Sequence, residues 1–181
     1  MANGSDHLQE KVLASGLMTM AAGKSSAVID SFVSWLIAGA GGAIALVIGN
    51  LPGIGQHLDV AVVSCASIIY LIAAGLTVVE KFLAAVVMGA AESASQAKDF
   101  IRDLPPDGNL DMEVVFREFE SATFRPMRWF MSKSFAKVRS GDFTASAKNF
   151  ARCAQIQAFL ALAATGLVFW ALGLIVSGLD G

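Results

Sequence analysis

The chain has 181 residues, enough for one domain, and 55% of them are hydrophobic while only 15% are charged. Soluble domains carry about 25% charged residues, so the composition argues against a protein whose whole surface faces water. The formal net charge of -2 provides no strong field, and it therefore does not indicate a nucleic acid as the partner.

The first 28 residues precede the long apolar runs and are predicted to form a short cytosolic or interfacial helix. Asp6, Glu10 and Lys11 occur here, and no apolar segment of the length found in a cleaved signal peptide comes before residue 28. The weak apolar stripe of residues 5–24 suits an amphipathic helix at the membrane interface, and it equally suits an ordinary helix packed on the cytosolic part.

The first membrane span is predicted within residues 31–58, which contain no Asp, Glu, Lys or Arg. The apolar part of this run matches the ~20 residues that a helix needs to cross a hydrocarbon layer of about 30 Å. Small residues let helix backbones approach closely in lipid, so their regular recurrence here predicts a packing helix. Its partner is another span of the same chain, a second copy or a different membrane protein. The small residues recur every four positions on two adjacent lines, which are Gly41, Ala45, Gly49 and Ser34, Ala38, Gly42.

The second span is predicted over residues 60–79, which again contain no charged residue. Pro52 and Gly53 precede it in a sequence typical of a turn, and Asp59 is expected to cap the first turn of the new helix. The uncharged run ends where it reaches the length that a membrane crossing requires.

Three charges are predicted to lie at the inner headgroup region of the membrane, namely Asp30, Glu80 and Lys81. Glu80 and Lys81 directly follow the second span, where both side chains are expected to extend to water. The alternative is that these two charges lie inside the membrane and line an ion path. The helix is expected to continue past them into the cytosol, packed through residues such as Phe82 and Val86.

Residues 92–152 are predicted to form a helical cytosolic segment. Pro105 and Pro106 end the preceding helix, and a new one is expected to begin near residue 109 or 111. The amphipathic stretch 124–138 is expected to lie along the inner leaflet, because anionic lipids attract Lys and Arg. Ordinary core packing and a surface for an acidic or nucleic-acid partner are the alternatives. The expected lipid or partner contacts are Arg125, Arg128, Trp129, Phe130, Lys133, Lys137 and Arg139.

The third span is predicted over residues 153–179, continuing from a helix whose start is capped by Asp142 or Thr144. The loop between the first two spans has no Lys or Arg, whereas residues 91–152 have ten. Because basic residues are retained on the cytosolic side, we expect a cytosolic N-terminus and an external C-terminus in a bacterial inner membrane. The predicted fold is an all-α integral membrane protein with parts at residues 1–28, 29–91, 92–152 and 153–181.

No motif in the sequence names a reaction. The "GKSS" segment resembles the end of a phosphate-binding loop, but Met18 occupies the position where that motif needs glycine. His7 and His57 are far apart and on opposite predicted sides of the membrane, so they do not build a shared metal site. Cys65 and Cys153 make neither a zinc site nor a disulfide framework. We therefore expect no enzyme activity, cofactor or metal.

The expected function is that of a helical subunit or scaffold of a membrane assembly. It would oligomerise through the small residues of the first span and contact anionic lipid or a membrane-protein partner, and not nucleic acid. The alternative is a pore-forming or membrane-perturbing effector, with Asp30, Glu80 and Lys81 at the inner mouth of its conduit.

The predicted orientation is directly testable. A phosphatase that is active only outside the cytosol should be active when fused after Gly181 and inactive when fused after Gly108, because basic residues hold the middle segment in the cytosol. Phosphatase activity of whole cells, normalised to the amount of fusion protein, measures this. Activity of the Gly108 fusion would contradict the orientation.

Overall fold

The computed structural model of the protein describes residues 8–54, 59–102, 112–122, 132, 136–137, 140, 142 and 144–179. Within these ranges the backbone is almost entirely helical, and no strand is present. Three of the helices, within residues 8–49, 60–102 and 145–179, are long and apolar enough to cross a membrane. The predicted all-α fold with three candidate spans is therefore confirmed. The helices whose two ends lie among the described residues are α1 (Leu8–Gly49), α2 (Leu51–Ile54), α3 (Val60–Arg102), α4 (Met112–Ala122) and α5 (Ala145–Leu179).

Side-chain caps determine where α3 and α5 begin. The Asp59 carboxylate accepts a hydrogen bond from the Ala61 backbone N–H at 2.9 Å, which satisfies an otherwise unpaired donor in the first turn of α3. The predicted cap at Asp59 is therefore confirmed. Ahead of α5, Asp142 Oδ1 accepts hydrogen bonds from the backbone N–H and the hydroxyl of Thr144, at 3.1 and 2.8 Å. The bond from the Thr144 hydroxyl is the largest cause of a lowered pKa at Asp142.

The N-terminal segment is continuous with the first candidate span. The sequence predicts a short helix within residues 1–28, and its described part, from Leu8 onward, belongs to α1, which runs without a break to Gly49. No proline lies in this range, and a glycine such as Gly23 costs a helix only about 1 kcal/mol relative to alanine. Gly23 also has a packing role, because a Cβ added there would lie 2.5 Å from the Cβ of Ala91. The approach of α1 to α3 at this point therefore requires a residue without a side chain.

The chain divides into two compact units. One contains Met1–Gly23 and Gly89–Arg152, and it includes the contact between Gly23 and Ala91. The other contains Lys24–Met88 and Cys153–Gly181. Within this second unit, segments of α1, α3 and α5 pack together, and we call them the three-helix bundle.

In the three-helix bundle, α3 runs antiparallel to the other two helices. The Asp30 carboxylate of α1 binds Lys81 of α3, whereas Ile44, further along α1, packs with Val63, nearer the start of α3. Contacts between α5 and α3 follow the same reversed order. The polar contacts near Asp30 therefore lie at one end of the bundle, and two clusters of apolar side chains follow along its length.

Each helix of the bundle contributes one line of buried side chains, which we call the seam. On α3 and α5 its members are spaced alternately three and four residues apart, as in coiled coils, with the half-buried Tyr70 filling one position. Half of these members are alanines, so the helix backbones can approach closely, which is favourable in lipid. They are Val63, Ala66, Ala73, Thr77, Glu80, Ala84 and Val87 on α3, and Ala154, Gln157, Ala161, Ala164, Val168, Ala171 and Ile175 on α5.

The outer surface of the bundle is apolar. Trp35 and Phe159 are 79% and 78% exposed. Proteins whose surface faces water rarely expose large apolar side chains together to this extent. Phe82 is also exposed, although the sequence predicts that it is packed, because the seam of α3 passes through Ala84 and Val87 instead. Three long apolar helices with such a surface indicate a membrane-spanning protein.

Gly41 of α1 is packed against Tyr70 of α3. The Tyr70 hydroxyl donates a hydrogen bond to the backbone carbonyl of Ile37 at 2.9 Å. A Cβ added to Gly41 would collide with that hydroxyl and would lie 3.1 Å from Cζ of the ring. This glycine of the predicted small-residue pattern therefore serves packing within the chain.

The other small residues of α1 do not share this role. Ala38, Gly42, Ala45 and Gly49 are exposed, and Cβ atoms added at the two glycines would meet nothing within 4 Å. Ser34 is half-buried, and its hydroxyl donates to a backbone carbonyl one turn earlier in α1 at 2.6 Å. Packing inside the chain thus uses only part of the two predicted lines.

Replacing Gly41 with alanine should destabilise the bundle, because the new methyl group displaces the Tyr70 hydroxyl from its carbonyl. Overpacking of this kind costs about 1–3 kcal/mol, which unfolding in mixed detergent micelles can measure. Gly39→Ala is the matched control, since Gly39 lies on the same helix with open space around it. Adding Tyr70→Phe to Gly41→Ala should recover part of the loss. Equal stability of the Gly41→Ala and Gly39→Ala proteins would contradict this packing role.

Candidate functional site

A layer of three polar side chains crosses the three-helix bundle, with one residue from each long helix. Ser26 of α1, Glu80 of α3 and Gln157 of α5 are all completely buried, and we call them the polar layer. The Ser26 hydroxyl donates to Gln157 Oε1 at 2.6 Å. The Gln157 amide nitrogen donates to the Ser26 backbone carbonyl at 3.1 Å and to Glu80 Oε1 at 2.7 Å. Gln157 therefore joins all three helices.

The helical spacing of the seam places these residues inside the bundle. Glu80 comes three residues after Thr77 and four before Ala84, both of which are buried. Gln157 stands in the same relation to Ala154 and Ala161 on α5. A helix that buries residues at this spacing turns every member of the line towards its neighbours, whether the side chain is polar or apolar.

The polar layer is incompletely satisfied. Both ends of the Gln157 amide have partners, and so has Glu80 Oε1. Glu80 Oε2 is buried and has no hydrogen-bond partner among the residues that the structure describes. A buried polar atom without a partner costs about 1–3 kcal/mol, and more when the group is charged. The Glu80 carboxyl is therefore the most costly group in the bundle to keep buried.

No cationic side chain of the described bundle is bonded to Glu80. The described residues of this unit contain two lysines, Lys24 and Lys81, and no arginine. Lys24 is exposed. Lys81 Nζ donates instead to Asp30 Oδ1 at 2.8 Å and to the Ser34 hydroxyl at 2.6 Å. The neighbouring charges on α3 thus have different surroundings, and only Lys81 is part of an ion pair.

The pair of Lys81 and Asp30 lies at the outer surface of the bundle. The two side chains are 45% and 27% exposed. Because both remain accessible, the pair is a weak stabiliser in water, worth at most about 1 kcal/mol. It nevertheless joins α1 to α3 beside the polar layer, since Asp30 follows Ser26 by one helical turn and Lys81 follows Glu80 directly.

Glu80 and Lys81, for which the sequence predicts the same exposure to water, differ in burial in the structure. Both Glu80 and Lys81 are expected to extend to water, but Glu80 is buried in the seam. Successive residues of a helix point about 100° apart, so one of the two faces the neighbouring helices and the other does not. Ser26 and Gln157 were not singled out from the sequence, although the three-and-four spacing of α3 and α5 could have indicated that Glu80 and Gln157 are buried.

Most of the predicted lipid or partner contacts lie outside the residues that the structure describes. Lys137 is described and exposed. The six other residues of that set, Arg125, Arg128, Trp129, Phe130, Lys133 and Arg139, lie outside the residues whose side chains are described. Their contact with the inner leaflet stays a prediction.

Among the described residues, no three His, Cys, Asp or Glu side chains come together in a group that could hold a metal ion. Cys65 and Cys153 are both free thiols. Comparisons of the chain with protein-family models, with curated proteins and with solved structures found no match. The polar layer and the surface of the bundle are therefore the features from which a function can be proposed.

Substituting Gln157 tests whether the polar layer holds the helices together. Gln157→Leu should lower the free energy of unfolding by about 1–3 kcal/mol, because Ser26 and Glu80 then lose their partner inside the bundle. Gln155→Leu is the control, since Gln155 is exposed on the same helix. Adding Glu80→Leu to Gln157→Leu should restore stability, because it removes the unpaired carboxyl. If Gln157→Leu were as stable as Gln155→Leu, the layer would contribute nothing to packing.

Proposed function

We propose that the protein is a non-enzymatic subunit or scaffold of a membrane assembly. It would join further copies of itself, or another membrane protein, through an exposed side of α1. That side consists of Ala38, Gly42, Ala45 and Gly49, and we call it the small-residue face. In this proposal the chain lies in a bacterial inner membrane with its N-terminus in the cytosol and its C-terminus outside.

The observation that carries the proposal is that the small-residue face is exposed and is not packed against any of the residues that the structure describes. Its four members are exposed, and Cβ atoms at Gly42 and Gly49 would meet nothing within 4 Å. They are spaced four, three and four residues apart, which is the spacing of the seam that packs inside the bundle. Because lipid offers little hydrophobic drive for association, close contact between small residues is a principal source of association energy.

The apolar interior of the three-helix bundle supports a scaffold more than a conduit through one chain. Next to the polar layer, Ala40, Ala73, Ala164 and Val168 form a buried apolar cluster, and a second apolar cluster follows it. A hydrated path must offer polar groups along its length, because bare hydrocarbon excludes ions and water. The alternative pore would therefore have to form between several copies, where the small-residue face supplies only Gly and Ala.

Contact with the inner leaflet is a second part of the proposal. Lys137 is exposed, and it belongs to a sequence region in which seven Lys or Arg between residues 125 and 152 are opposed by one acid, Asp142. Anionic lipids attract each such basic residue by about 1 kcal/mol near the surface. This attraction would hold the segment between α4 and α5 at the cytosolic face of the membrane.

Bulky substitutions on the small-residue face test the scaffold. In a mild detergent, light scattering combined with size-exclusion chromatography should give the mass of more than one chain for the wild type. Gly42→Ile and Ala45→Ile should reduce that mass towards one chain, since each side chain would hold the partner helix away. The bundle itself should stay folded, because both positions are exposed among the described residues and a Cβ at Gly42 has open space around it.

Gly173→Ile is the matched control, because Gly173 is an exposed glycine of α5 with open space around it. It should leave the mass unchanged. A wild-type protein with the mass of a single chain would contradict self-association. Loss of assembly in the Gly173 variant as strongly as in the Gly42 variant would place the interface elsewhere.

A further inference from the structure

We propose that the polar layer is a binding site for one small monovalent cation, such as sodium, beside the Glu80 carboxylate. The proposal concerns the interior of a single chain, and it does not rest on the scaffold function. It joins three observations, which are the burial of Glu80, its unpartnered oxygen and the set of oxygen atoms around it.

The first step is the balance of charge. A carboxylate buried in an apolar bundle is costly unless a positive charge accompanies it. Lys81 is engaged by Asp30 and Ser34, and Lys24 is exposed, so neither lysine of the described bundle serves Glu80. A bound cation of single charge would neutralise the site, whereas a divalent ion would leave an excess positive charge in the same apolar surroundings.

The second step is the supply of ligands. Small hard cations are bound by carboxylate, amide and backbone carbonyl oxygens. Glu80 provides Oε1 and the unpartnered Oε2, and the Ser26 backbone carbonyl provides a third oxygen. Glu80 Oε1 and the Ser26 carbonyl both accept hydrogen bonds from the Gln157 amide nitrogen, at 2.7 and 3.1 Å, so these two oxygens lie close together.

The third step is the symmetry of the Gln157 amide. Half a turn of this group exchanges its nitrogen and oxygen at almost no change in shape. The amide oxygen would then face Glu80 and the Ser26 carbonyl, and it would complete a set of oxygen ligands. The Ser26 hydroxyl can donate or accept, so its bond to Gln157 would be kept with the direction reversed. In the cation-bound arrangement the ion would lie between the amide oxygen, the Glu80 carboxylate and the Ser26 carbonyl, in place of the two hydrogen bonds that the amide nitrogen donates in the cation-free arrangement.

Binding would be linked to packing, because the ligands come from three different helices. A cation that binds the packed bundle and not the separated helices stabilises the packed state by mass action. The effect should be specific for small cations, since each ligand is fixed by a helix of the alanine-rich seam. Larger ions such as choline cannot enter it.

The experiment measures thermal unfolding of the full chain in detergent, by intrinsic tryptophan fluorescence, at constant ionic strength. Sodium chloride replaces choline chloride stepwise, and potassium chloride is run in parallel. Sodium should raise Tm along a saturating curve, by roughly 5–10 °C at 100 times its dissociation constant. Potassium should do so less, and choline not at all.

Two variants make the result specific. Glu80→Gln keeps the size and the hydrogen-bond acceptor of the side chain and removes its charge, so it should fold and lose the sodium response. Asp30→Asn removes a carboxylate from the outer pair with Lys81 and should keep the sodium response. If wild-type Tm changed equally in sodium and choline, or if Glu80→Gln kept the sodium response, the proposal would be overturned.

The same measurement at lower pH tests whether a proton, instead of sodium, neutralises the Glu80 carboxylate. The charged groups nearest along the three helices are Lys24 and Asp30 on α1, Lys81 on α3 and Arg152 on α5. If acid raised Tm in choline, Glu80→Gln abolished that rise, and sodium had no effect at any pH, a proton would balance Glu80. The sodium site would then be refuted.

Discussion

The close approach of three helix backbones along an alanine-rich seam is the constraint on which the rest of the structure depends. In a membrane, apolar side chains gain little free energy by moving from lipid into a helix interface, so the helices associate mainly through close van der Waals packing. Ala66, Ala73 and Ala164 allow that packing, and Gly41 allows the Tyr70 ring to lie against α1. The polar groups of the seam are therefore bonded within the bundle, Thr77 to the Ala73 carbonyl of its own helix and Gln157 to Ser26 and Glu80 of the neighbouring helices.

An alanine-rich seam by itself leaves the alignment of the helices poorly specified. Moving one helix by seven residues would place most small apolar side chains beside other small apolar side chains. The same movement would part Gln157 from Ser26 and Glu80, leaving buried polar groups without hydrogen bonds. Single polar residues fix the register of coiled coils in the same way, at a cost in stability. The polar layer thus supplies the specificity that the apolar clusters lack.

The sequence predicts the helices well because their signals are local. Long runs without charge give the three candidate spans, and Asp59 marks the first turn of α3 through a cap that depends on two neighbouring residues. The N-terminal helix is not separate from the first span, because a change in hydropathy does not end a helix and no proline lies between Leu8 and Gly49.

The candidate site was harder to predict because it depends on direction around each helix. Glu80 and Lys81 are adjacent, as are Gly41 and Gly42, yet one member of each pair is packed and the other is exposed. For Glu80 and Lys81 the three-and-four spacing of α3 gives a signal, whereas for Gly41 and Gly42 the position of the neighbouring helices decides. The partnership of Ser26 with Gln157 joins residues 131 positions apart, and no short-range pattern specifies such a pair.

The outer pair of Lys81 and Asp30 has a consequence for the kind of membrane that suits the protein. Asp59 caps the start of α3, and Lys81 is the next exposed charge along that helix, so the apolar length between them is about 30 Å. A bilayer of that thickness places both charged ends at its surfaces. In a thicker bilayer, one charged end of this apolar length would enter the hydrocarbon layer. In a thinner bilayer, the bundle would tilt so that its apolar length still fits. Hydrophobic mismatch would therefore sort this protein among membranes of different thickness.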